Sequence, residues 1–107
     1  MFKLTPKVAD FWINVEPAVP GDEQPDPFRL KVAYVRSSEI DKAREGAGIP
    51  EFVRLVARDW DGVADEAGQE LMFTRQSLDE MLDCFPQVSV AVYTAYISAI
   101  GNAKRKN

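Results

Sequence analysis

Between Val8 and Val19 apolar and polar side chains alternate, with Phe11, Ile13 and Val15 on one side and Trp12, Asn14 and Glu16 on the other. A period of two marks a half-buried strand. Pro17 and Pro20 end it, because proline cannot donate to a ladder. The stretch from Pro20 to Pro27 is polar, with strong turn chemistry. The alternation returns from Phe28 to Val35, where Phe28, Leu30, Val32 and Tyr34 oppose Arg29 and Lys31. The two segments predict an antiparallel hairpin over residues 8–35 with a long tip. A lone hairpin is marginal in water, so helices or another chain must cover its apolar face.

The period changes to 3.6 after Ser37. Ser37-Ser38-Glu39-Ile40-Asp41 predicts a helix start with a serine cap and acids in the first turn, ending near Gly46-Ala47-Gly48. Pro50 suits the first position of a second helix, in which Phe52, Val53, Val56 and Trp60 recur at helical spacing. Asp61-Gly62 and Asp65-Glu66-Ala67-Gly68 are turn signals, and Leu71-Met72-Phe73 reads as a short extended piece. Thr74 or Ser77 caps a third helix, Ser77-Leu78-Asp79-Glu80 fitting the capping box. Its expected buried stripe is Leu78, Met81, Leu82 and Phe85. Pro86 separates it from a last helix at about Gln87–Gly101. The expected fold class is α+β: an N-terminal antiparallel β-hairpin followed by about four α-helices, one domain over 1–107, with a helical region at 37–103 and a basic tail at 104–107.

The last helix carries two apolar stripes. Val88, Val92, Ala95 and Ala99 form one, and Val90, Tyr93, Ile97 and Ile100 form another on a different side. A helix apolar around most of its circumference is normally buried around most of it, and a chain of 107 residues builds only one core. Residues 84–103 are uncharged, yet Pro86, Gln87, Ser89, Thr94, Ser98, Gly101 and Asn102 make them too polar for a spanning helix. No membrane partner is expected, and the first seven residues give no apolar run for a signal peptide.

Charge narrows the function classes. Residues 1–50 hold seven basic and eight acidic side chains, residues 51–83 three basic and nine acidic for a net −6, and Lys104-Arg105-Lys106 adds +3. Such an acidic body repels phosphate and disfavours nucleic acid as a partner. There is no histidine, so the commonest general base and metal ligand is missing. The single cysteine, Cys84, sits beside Leu82 and Phe85 and is expected in the core. Asp59, Asp61 and Glu70 fall at calcium-loop spacing, but Val63 and Ala64 occupy two further key positions, so no metal site is expected. Adjacent carboxylates such as Asp65-Glu66 and Asp79-Glu80 diverge and read as surface charge and capping. No cofactor and no catalytic residue are expected: the chain reads as a protein-binding protein, not an enzyme.

Four places together give the chain a resemblance. They are the extended pair Phe11-Trp12-Ile13-Asn14-Val15 with Phe28-Arg29-Leu30-Lys31-Val32; the run Val56-Ala57-Arg58-Asp59-Trp60-Asp61-Gly62-Val63 with Asp65-Glu66-Ala67-Gly68; Phe73-Thr74, Ser77-Leu78 and Met81-Leu82 up to Pro86; and Val92-Tyr93-Thr94-Ala95-Tyr96 with the close Lys104-Arg105-Lys106-Asn107. In order and spacing they resemble the tail assembly chaperones of long-tailed bacteriophages and prophages. The resemblance implies a helper in the host bacterial cytoplasm that holds the tape-measure protein before the tail tube polymerises around it, touches tail tube subunits, and is absent from the mature virion. Many members of that family are made in a short form and in a longer form produced by a ribosomal frameshift, and the chain would be the short form. The family brings no catalytic residues.

The expected partner-binding residues are Val90, Tyr93, Ile97 and Ile100, with a homo-oligomer through the same stripe as the competing use. Trp60, Gly62, Gly68, Leu78, Leu82 and Phe85 are expected to define the fold, with Trp60 either a buried anchor for its turn or an anchor for a partner. A structural tail or head–tail subunit and an unrelated cytosolic adaptor stand as alternative functions.

Overall fold

The computed structural model describes residues 1–2, 4, 8–21 and 26–102. The basic tail expected at 104–107 lies outside them, as does the middle of the Pro20–Pro27 loop. Among the described residues the chain runs β1 (Phe11–Val15), β2 (Phe28–Val32), α1 (Ser37–Ala47), α2 (Ile49–Val56), β3 (Ala57–Asp61), α3 (Arg75–Cys84) and α4 (Pro86–Asn102). The α+β arrangement and the N-terminal hairpin are as expected. A third strand, which the hydrophobic pattern does not disclose, extends the hairpin into an antiparallel sheet of order β1-β2-β3.

The register explains the strands. Ile13 pairs with Leu30 and Val15 with Phe28, so the four fall on one face and are buried there. Both strands are shorter than the alternation indicated, and Tyr34, expected on the inner face, is exposed because β2 ends at Val32. Leu30 pairs in turn with Trp60 of β3. On the outer face Arg29 lies opposite Asp61 and Lys31 opposite Asp59, and Arg29 stacks over Trp12 at 4.6 Å. Opposite charges facing across strands stabilise a pair by about 0.2–1 kcal/mol. The pairing shifts between Lys31 and Val32, leaving Arg58 as an extra residue that donates to its own chain at Leu55 O and Ala57 O.

Trp60 therefore does not continue the second helix. The helix stops at Val56, with Ala57 already extended at φ −68°, ψ 135°. Phe52, Val53 and Val56 do form its buried side; Trp60 matches their spacing by coincidence and reaches the same core from a strand. Its indole N–H donates to Leu71 O at 2.7 Å, and Phe73 packs edge-on at 5.1 Å. The amide of Ala33, just past β2, donates to Val56 O at 2.9 Å, tying the end of α2 to the exit of the hairpin.

Caps differ from expectation in two places. Arg36, not a serine, occupies the N-cap of α1, and no side chain among the described residues caps it. In α3 the cap is Thr74, one of the two expected, but the capping box pairs it with Ser77 rather than Ser77 with Glu80. Leu71–Phe73 is not a strand, the local pairing being an isolated bridge of Ala64 with Glu70. Asp65 fastens that turn, its Oδ1 accepting from the amides of Ala67 and Gln69 at 2.9 Å each. Gly62 and Gly68 hold φ near +90° and +84°, a region costly to any residue with a Cβ.

The core gathers one face of the sheet, α2, and the inner sides of α3 and α4 around Tyr96, which is fully buried. Its hydroxyl accepts from Val35 N at 3.2 Å and donates to Ala33 O at 3.1 Å. Its ring meets Phe52 edge-on at 5.1 Å and Phe11 at 5.8 Å.

Two stability results follow. Trp60→Ala is expected to destabilise the fold by roughly 3–5 kcal/mol in urea melting, and an unchanged midpoint would mean the indole does not anchor the sheet. Burial raises the Tyr96 hydroxyl above its ordinary pKa of 10.0, the bond from Val35 N partly offsetting this. Its contribution is thus fully present below about pH 10 and lost as pH rises through the folded value. Tyr96→Phe should cost about 1–3 kcal/mol at neutral pH and show less alkaline loss of stability than the parent chain.

Candidate functional site

Position on α4 decides what each residue can do. The side facing the sheet and α2 is centred on Val92 and Tyr96, with Val88 and Ser89 also buried and Ala95 and Ala99 partly so. The first expected stripe is thus the inner side, with Tyr96 as its unforeseen centre. Ser89 carries a buried hydroxyl that has no hydrogen-bond partner among the described residues.

On the opposite side, Val90 is 54% exposed and Ile97 39%, and Ile100 on the flank is 37% exposed. At 100° per residue Val90 and Ile97 point almost directly away from Val92. No charged residue lies on α4, and the exposed Thr94 and Ser98 share its outer side with Val90 and Ile97. Tyr93, the fourth expected contact, differs: it is half-buried, edge-on to Phe52 at 5.3 Å, with the Arg44 guanidinium 5.1 Å above its ring. It joins the strip to α1 and α2 and offers only part of its ring to a partner.

The corner between α3 and α4 corrects two expectations. Phe85 was expected to close the buried stripe of Leu78 and Leu82; those two are buried, but Phe85 is 45% exposed. The cause is Pro86, which disfavours helical geometry in the residue before it: Phe85 sits at φ −131°, ψ 81°, off the helical path. Cys84, expected in the core, is exposed for the same reason, being the last residue of α3 before the corner. The Pro after Phe85 was the legible signal.

Among the described residues no cluster of histidine, cysteine or carboxylate side chains could hold a metal ion, and no single helix is long and apolar enough to cross a membrane. The exposed large apolar residues of α4 are Val90, Ile97 and Ile100, on a helix without charge.

The family model described as phage tail assembly chaperone matches residues 35–107. The chain belongs to that family. The match begins just after β2 and covers all four helices and β3, so three of the four places that carry the resemblance lie inside it, and the opening hairpin lies outside. No curated protein and no solved structure matches the chain.

For this tail assembly chaperone the exposed side of α4 separates cleanly from the core. Ile97→Asp is expected to shift the stability of the chain by no more than about 0.5 kcal/mol, as for a surface position. Tyr93→Ala, which strips a ring from Phe52, is expected to cost about 1–3 kcal/mol. Chemical melts of the two variants check the division, and equal losses would contradict it.

Proposed function

We propose that this chaperone binds a tape-measure protein and keeps it soluble during tail assembly, through the outer strip of α4 formed by Val90, Ile97 and Ile100 with the free edge of Tyr93. The observation that carries the reading is the strip itself: three large aliphatic side chains stand in water on an uncharged helix whose other side is packed. A long, helical, apolar client needs an apolar surface to shield it. The chain works in the host bacterial cytoplasm, leaves before the virion matures, and catalyses no reaction. Tail tube subunits are a second partner in this reading.

The size of the strip suits a temporary helper. Apolar burial contributes about 25 cal/mol per Å², so three side chains supply a few kcal/mol, in the range of millimolar single-site affinity at about 4 kcal/mol. Binding of that strength releases readily, and many copies along one long client raise the occupancy through avidity.

Co-expression with a tape-measure fragment tests the reading. The parent chain should keep the fragment in the soluble fraction, and Ile97→Asp, still folded, should lose most of that effect. If Ile97→Asp keeps the fragment soluble, α4 is not the client surface. If it loses only self-association, the strip joins copies of this chain and the client site lies on the hairpin.

A further inference from the structure

A second surface lies at the far side of the α3–α4 corner. A groove of about 840 Å³ opens between the start of β2, the turn after β3 and the α3–α4 corner. Its apolar lining includes Phe28, Leu71, Met81, Phe85 and Val88. Four carboxylates share it, Asp26, Asp65, Glu66 and Glu80, and no lysine or arginine is among the described lining residues. The described ion pairs are made elsewhere, Arg54 holding Asp79 at 2.8 Å and Glu51 at 3.5 Å. The groove's negative charge is therefore not neutralised by a described ion pair, beside a half-exposed phenyl ring.

We infer that this groove docks a short cationic amphipathic segment of a partner protein, its apolar side chains against Phe85 and Met81 and its lysines or arginines against the four carboxylates. Charge complementarity selects the occupant. An acidic or phosphorylated peptide meets four like charges, and so does nucleic acid. A second copy carries a net charge of −4, so apart from its Lys104-Arg105-Lys106 tail a negative rim repels it. The volume falls within the roughly 300–1,000 Å³ of grooves that enclose a small apolar body, so one or two turns of a helix enter, in the manner of helix-in-groove recognition. This site is separate from the α4 strip and goes beyond the client reading.

Cys84 lines the groove and is the only cysteine in the chain, so it reports occupancy directly. The probe is a synthetic 16-residue helical peptide of leucine and lysine, with a leucine–glutamate peptide as its counterpart. The leucine–lysine peptide should slow iodoacetamide alkylation of Cys84 at least fivefold, and the leucine–glutamate peptide should not. The double variant Glu66→Lys/Glu80→Lys should weaken binding, read by peptide anisotropy, about tenfold. Glu39→Lys/Glu45→Lys on α1, with the same change in net charge, should leave it within about twofold. Phe85→Ser, at an exposed position, should weaken it while the chain keeps its helical circular dichroism. The inference is overturned if both charge reversals weaken binding equally, if either peptide protects Cys84 to the same degree, if neither does, or if protection without peptide rises with protein concentration, which would assign the groove to a second copy. No tape-measure fragment enters the assay, so its failure and that of the α4 reading are separate results.

Discussion

A single phenol joins the two halves of this protein. Tyr96 reaches from the last helix into the seam where β2 gives way to α1, and its hydroxyl occupies both an amide and a carbonyl of that seam. Backbone leaving a strand for a helix has polar groups that neither element satisfies, and burying them unpaired costs about 1–3 kcal/mol each. Tyr96 removes that penalty and adds an aromatic contact on each side, with Phe52 from α2 and Phe11 from β1. The sheet face, α2 and α4 meet around this ring. Because α4 is held on that side, its other side is left facing outward.

Much of this was legible along the chain, and the failures have physical causes. The alternation around Ile13 and Leu30 gave the hairpin, and Gly48 with Pro50 gave the break between α1 and α2. Trp60 misled because its spacing from Val56 satisfies a helix, while what makes it a strand residue is its pairing with Leu30, a relation across 30 positions of sequence. Tyr96 was overlooked because a stripe counted from Val88 in steps of three and four passes through Ala95 instead. Phe85 misled because periodicity was carried one residue too far, into the position whose backbone Pro86 controls.

The candidate surface was legible for a simpler reason. α4 holds more apolar residues than one side of a helix can bury, and the surplus had to lie somewhere. The structure distributes it unequally: Tyr93 is held by Phe52 and Arg44, while Val90 and Ile97 are exposed. In the proposed client reading, a strip mounted on a packed helix needs little further ordering when a partner arrives. The groove at the α3–α4 corner differs in character, since its apolar lining is ringed by charge. One small protein thus carries an exposed apolar strip and an acid-rimmed groove on a chain of net charge −4.

The pairing of Phe11 with Tyr96 places the first strand against the last helix. During synthesis the hairpin leaves the ribosome well before α4 does. Until then the face formed by Ile13, Val15, Leu30 and Val32 lacks much of its cover. A nascent chain in that condition is itself a candidate for capture by the cell's folding machinery. A tail assembly chaperone therefore begins its own synthesis with that face uncovered, until the residues that close it have been made.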